Sequence, residues 1–87
     1  MKIVLDRHFV KRFNKLPASI QRQFSNRRDL FIAEPFHPLL DNHPLHGEYA
    51  DCRSFNVNGD FRVVFFEESP GLFVFLAIGT HHDLYGK

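Results

Sequence analysis

Leu72-Phe73-Val74-Phe75-Leu76-Ala77-Ile78 is the longest unbroken apolar run of the chain, and it constrains the fold more than any other stretch. Seven residues rich in β-branched and aromatic types are too short for a stable helix, so the run reads as a strand. It lacks polar alternation, which predicts a strand covered on both faces and central in a sheet. The chemistry changes directly after it. Gly79 permits a sharp exit, and Thr80-His81-His82-Asp83-Leu84-Tyr85 follow. A buried strand that delivers polar groups at its end holds them rigidly.

The length of 87 residues predicts a single domain, residues 1–87, with a small core. An apolar content of 44% with eleven phenylalanines describes a globular chain, not a disordered one. The single Cys52 has no partner for an internal disulfide, and no apolar run approaches the ~18 residues that cross a bilayer. The start of the chain, charged at Lys2 and Asp6, does not read as a secretory signal. The expectation is a cytoplasmic protein with no membrane partner. The net charge of +1 hides a split: residues 1–33 sum to +6 and residues 34–87 to −5. Solvated helix faces explain such a split, and so does a polyanionic partner for the first part.

Taken in order, residues 1–5 suggest a brief edge strand at Ile3 and Leu5. Asp6 is a good helix N-cap, and Phe9, Val10, Phe13 and Leu16 then recur at helical spacing. Pro17 ends this helix and suits the first turn of a second, whose stripe is Ile20, Phe24, Leu30 and Phe31. Glu34-Pro35 closes it. With almost no loop between them, the two form an antiparallel hairpin that needs a sheet to bury its stripes. Pro35, Pro38, Pro44 and Gly47 mark a loop that also carries His37, His43 and His46. Extended chain from Cys52 to Val57, a turn at Asn58-Gly59 and a return over residues 60–67 predict a β-hairpin. The fold class is α+β: an N-terminal strand, a two-helix hairpin and a mainly antiparallel sheet of about four strands.

A two-residue turn would pair Phe55 with Arg62, putting Arg53, Phe55, Asp60, Arg62 and Val64 on one face. Cys52, Ser54, Phe61, Val63 and Phe65 would then face the helices. Charges on that open face have two readings. The face is simply solvated, or it binds an anionic substrate, with Arg holding phosphate while His and Asp move protons. Histidine suits that role because its charge changes near neutral pH. His43, His46, His81, His82 and Cys52 match no strong zinc spacing, so no metal and no other cofactor is expected. Cys52 reads as core, not as a nucleophile.

Four segments in this order resemble the RelE/ParE toxin superfamily, and most closely its RelE/YafQ branch of bacterial toxin–antitoxin endoribonucleases. They are Lys15-Leu16-Pro17; His43-Pro44-Leu45-His46-Gly47; Arg53-Ser54-Phe55 with Gly59-Asp60-Phe61-Arg62-Val63-Val64-Phe65; and Ile78-Gly79-Thr80-His81-His82-Asp83-Leu84-Tyr85. The resemblance covers essentially the whole chain. It implies a toxin that cleaves mRNA in the ribosomal A site without a metal, with a cognate antitoxin as partner in a hetero-oligomeric complex. It further implies catalytic roles for His43, Asp60, Arg62, His81 and Tyr85, and RNA contacts from Arg53, Lys11, Arg12 and Lys15. Asn56 departs from the pattern, since YafQ-type toxins place a further histidine there. The same resemblance leaves two other outcomes open: a ParE-like toxin that inhibits DNA gyrase without cleaving RNA, or a degenerate toxin that only binds its antitoxin.

Overall fold

In a computed structural model, residues 1–86 are described, and they form one five-stranded mixed sheet with two long helices on one face. Strand β1 (Lys2–Leu5) leads into α1 (Arg7–Phe13), whose cap forms where the Asp6 carboxylate accepts from the His8 N–H at 2.9 Å. Helix α2 (Ala18–Ala33) stops where Glu34 leaves helical geometry at φ −144° before Pro35. Short strands β2 (His43–Pro44) and β3 (Arg53–Asn56) precede the long pair β4 (Phe61–Ser69) and β5 (Leu72–Thr80). A one-turn helix α3 (His81–Tyr85) ends the described chain.

The strand order is β1-β5-β4-β3-β2, with β1 parallel to β5 and the other pairs antiparallel. The expected α+β architecture is present with one strand more than anticipated, because the proline-rich loop contributes β2. The apolar run is an inner strand, but β4 holds the middle of the sheet. Nor is β5 sealed on both sides: Leu72, Val74, Leu76 and Ala77 are only half-buried. Its unbroken apolar character comes partly from a bulge. Val64 pairs with Ala77 while Phe65 pairs with Phe75, so Leu76 has no partner and the alternation resets. Phe73, Phe75 and Ile78 thereby all face the helices.

The core is aromatic. Phe31 of α2 is fully buried, with ring centroids 5.0–5.8 Å from Phe55, Phe65, Phe73 and Phe75. Phe9 and Phe13 of α1 meet Phe24 of α2 at 5.4 and 5.1 Å. Val10, assigned to the same stripe, is exposed instead.

The β3–β4 hairpin differs from its sequence reading by one residue. The favoured two-residue hairpin turns need positive φ at the first central position or at both, and neither Asn58 nor Gly59 has it. The Asn58 side chain makes the turn instead: its Oδ1 accepts from the N–H groups of Asp60 at 2.8 Å and Phe61 at 2.7 Å. Val57 N–H donates to Phe61 O, so three residues form the loop and Asn56, not Phe55, opposes Arg62. Phe55 therefore joins the core with Val63. Ser54 and Asn56 share the opposite face with Arg62 and Val64. Cys52 is half-buried beside β3, outside the core cluster to which it was assigned.

Truncating Phe31→Ala removes one side of four ring contacts and is expected to cost about 3–5 kcal/mol. In urea the midpoint should fall at constant slope. The exposed Phe36→Ala should change stability by no more than ~0.5 kcal/mol.

Candidate functional site

On the face away from the helices, an open cleft of about 740 Å³ is lined by His43, Arg62, His81 and Tyr85 together with Asp41, His46, Glu48 and Tyr49. Four of the five expected catalytic residues meet here from β2, β4 and α3. His43 lies opposite Ser54 in the β2–β3 ladder, and Arg62 lies between Asn56 and Gly79. The sheet thus sets both side chains.

The His43 ring has a fixed tautomer. Its Nδ1 stands 2.6 Å from the Asp41 carbonyl oxygen, which can only accept, so Nδ1 carries the proton. Nε2 of the neutral ring is then a free acceptor. The Asp41 carboxylate lies 3.8 Å from Nδ1.

His81 and Tyr85 sit four residues apart on α3, hence on one side of it, with ring centroids 4.7 Å apart. Gly79 is not the exit that the sequence suggests, since β5 runs on to Thr80. Instead, Thr80 and Asp83 form a reciprocal capping box that starts a helix: Asp83 N–H donates to Thr80 Oγ1 and Thr80 N–H donates to Asp83 Oδ2. These bonds to Thr80, followed by the Arg12 guanidinium, hold the Asp83 carboxyl below its ordinary pKa.

Under α3 lies a buried polar patch. Ser54 Oγ, Asn56 Oδ1 and the Tyr85 hydroxyl are all inaccessible, and none has a hydrogen-bond partner in the protein. Burial pushes the Tyr85 phenol up, while the nearby Ser54 hydroxyl and Arg62 pull the other way by less. Tyr49 packs edge-on to Tyr85 at 5.9 Å.

The remaining assignments fall elsewhere. Asp60 is exposed in the Asn58–Gly59–Asp60 loop and does not line the cleft. The register shift that placed Asn56 opposite Arg62 moved it there. Arg53 turns to the helix side, where Nε donates to Asn42 Oδ1 at 2.7 Å and the guanidinium lies 5.3 Å from the Phe36 ring centroid. Lys11 and Lys15 line a separate surface groove along α1. Arg12, assigned to RNA, bonds Asp83 at 2.6 Å. Lys87, counted among the cations of the second half, lies outside the described residues.

Tyr49, His46, Asp41, Glu48 and Ser54 were not picked out as site residues. His46 was legible in the same segment as His43. Tyr49 depends on Gly47, whose φ of +67° turns the chain back, a feature no periodicity reveals. Among the described residues no three His, Cys, Asp or Glu side chains gather closely enough to hold a metal ion. Burial, and then Asp51, raise the Cys52 thiol pKa, which disfavours its thiolate.

A family model described as "Bacterial toxin of type II toxin-antitoxin system, YafQ" matches residues 1–86. The chain belongs to the YafQ family of type II toxins. Among solved structures, YafQ from E. coli strain BL21(DE3) superposes with a TM-score of 0.80 at 22% identity, covering 98% of each chain. A YoeB/ParE toxin from Agrobacterium tumefaciens gives 0.76 at 19% identity over 93% of this chain and 99% of that one. YafQ in the E. coli DinJ-YafQ toxin-antitoxin complex gives 0.74 at 21% identity, covering 98% and 97%. These likenesses establish the fold. A search of the curated proteins finds no match.

The buried phenol is directly measurable. In a spectrophotometric titration, one of the two tyrosines should ionise above the ~10 of an ordinary phenol, and Tyr85→Phe should remove that step. Because burial favours the neutral form, Tyr85 contributes stability below pH ~10 that fades as pH rises through the raised value. A parent protein that titrates wholly in the ordinary range would contradict a buried hydroxyl.

Proposed function

We propose that this toxin is a metal-independent endoribonuclease that cleaves mRNA on the ribosome and is silenced by a cognate antitoxin in a hetero-oligomeric complex. The observation that carries the reading is the meeting of His43, His81 and Arg62 in one cleft from three separate elements. RNA cleaves itself when its 2′-hydroxyl attacks the adjacent phosphorus. A base must take that proton, an acid must protonate the departing 5′-oxygen, and a cation must stabilise the phosphorane. His43, with Nε2 free in the neutral ring, suits the base, and His81 suits the acid. Arg62 offers the phosphate a bidentate fork. Tyr85 and Tyr49 offer ring faces and edges on which a base can stack. Asp60 takes no step in this scheme.

Charge supports the ribosome as the setting. Among the described residues Arg62 is the one guanidinium lining the cleft, and it shares the lining with the carboxylates of Asp41 and Glu48. Affinity for naked RNA grows with each phosphate neutralised, so this cleft holds a free strand poorly. Much of the rate depends on holding the strand in attack geometry. The ribosome would supply that orientation, with the cationic first third of the chain, Lys11 and Lys15 included, facing structured RNA. The antitoxin enters by analogy with the DinJ-YafQ complex, and cytoplasmic residence follows from a ribosomal target.

Cleavage of one mRNA, free and in a programmed ribosome with an empty A site at the same salt, tests the setting. Fast cleavage on the ribosome alone is expected, and equal rates would overturn it. His81→Ala should lose about 10²–10⁴ of the cleavage rate and the growth inhibition, with antitoxin binding retained. DNA breaks in place of mRNA fragments in growing cells would point to a gyrase-directed toxin instead.

A further inference from the structure

Strand β1 ends at Leu5 opposite Phe75, so β5 beyond that point has no neighbouring strand on this side. Helices α1 and α3 meet there. His8 and Arg12 of α1, Leu76, Ala77 and Ile78 of β5, and Asp83 and Leu84 of α3 line a small cleft between them. Across it, Arg12 Nη2 donates to Asp83 Oδ2 at 2.6 Å, and the same oxygen accepts the Thr80 N–H at 3.0 Å. One carboxylate oxygen thus caps α3 and ties it to α1.

Gly79 makes room for this arrangement. A Cβ built on it would lie 2.9 Å from Asp83 Cβ and 3.3 Å from Asp83 Oδ2, and 3.6 Å from Arg12 Nη2. Any side chain at 79 would push the Asp83 carboxylate from its seat. A helix of five residues does not persist unaided in water, so its orientation depends on such external ties. It carries both His81 and Tyr85.

We infer that Arg12 and Asp83, seated against Gly79, are positioning residues that set α3, and with it His81 and Tyr85, over the cleft. The effect on cleavage rests on the ribonuclease reading; the latch itself does not. The rival role for Arg12 is a phosphate contact, and the two separate cleanly. A phosphate contact predicts that Asp83→Asn, by removing a competing carboxylate, leaves RNA binding equal or stronger. A latch predicts that Asp83→Asn harms the reaction as Arg12→Ala does.

The experiment measures kcat, KM and the salt dependence of mRNA cleavage on programmed ribosomes for the parent, Arg12→Ala, Asp83→Asn and the double variant. Asparagine retains a cap acceptor, so α3 keeps its first turn. Measurements are made well below the melting temperature of each variant. The expected result is a kcat lowered about tenfold in each single variant, with KM and salt slope unchanged and the double variant no worse than either single one. Gly79→Ala should behave in the same way. A raised KM with a salt slope smaller by about one in Arg12→Ala, and no loss in Asp83→Asn, would overturn the latch. Amide exchange of the α3 backbone gives a readout that does not need cleavage, including the Gly86 N–H that donates to His82 O at 2.8 Å. Faster exchange in both single variants supports the latch even if the parent cleaves no RNA, in which case the ribonuclease reading alone fails. Unchanged exchange in both overturns the latch whatever the parent does.

Discussion

The Asn58 side chain decides which residues of β3 face the candidate cleft and which meet the core. By accepting two successive backbone N–H groups it closes the β3–β4 loop over three residues and fixes Asn56 opposite Arg62. Its amide nitrogen also donates to Gln23 Oε1 of α2 at 2.7 Å, which ties the loop to the helical layer. Since side chains alternate along a strand, one residue of slip would send Phe55 out to the cleft and Ser54 into the aromatic core. That core tolerates no such exchange, because Phe55 is fully buried against Phe31 at 5.1 Å. The loop and the packing therefore specify the same register from opposite ends.

This explains what the sequence could and could not reveal. Helical stripes at Phe9, Phe24 and Phe31, the caps at Asp6 and Glu34, and the strand at 72–78 are local patterns, and they were legible. The hairpin's existence was legible too, since Asn58-Gly59 is a strong turn signal. Its register was not. The choice between a two-residue and a three-residue loop rests on a side-chain hydrogen bond and on φ values, neither of which leaves a periodic trace. Arg53, Phe55 and Asp60 were misplaced for that single reason. His43, Arg62, His81 and Tyr85, which share one cleft, were picked out through family resemblance to segments of the chain, not through periodicity. Ser54 was put on the helix side by the same register error, and Tyr49 was missed because its proximity to the cleft is purely tertiary.

Sheet and helices divide the labour. The aromatic layer under α1 and α2 supplies cohesion, while the other face presents Ser54, Asn56 and Arg62 as a polar floor beneath α3. Polar atoms without partners are costly when buried, and a stability-driven sequence would replace Ser54 and the Tyr85 hydroxyl by apolar groups. Their retention side by side under the candidate catalytic helix fits a chain that carries a cost where it works.

Asn56 is the position where chemistry and resemblance part, since an amide cannot relay protons in place of the further histidine the YafQ pattern expects. Phosphodiester cleavage by 2′-oxygen attack requires one proton taken and one delivered, and two imidazoles suffice for both. His43 and His81 lie far apart in the sequence but line the same cleft, on β2 and α3. On the ribonuclease reading the role left to Asn56 is electrostatic: its buried carbonyl oxygen shares a strand pairing and a face with Arg62, and a neutral dipole there would leave the guanidinium's charge intact for phosphate. A histidine at 56 would become a second cation whenever protonated, close to the first. On the ribonuclease reading, the substitution gives up a spare proton carrier and leaves Arg62, among the described residues, as the permanent positive charge of the cleft.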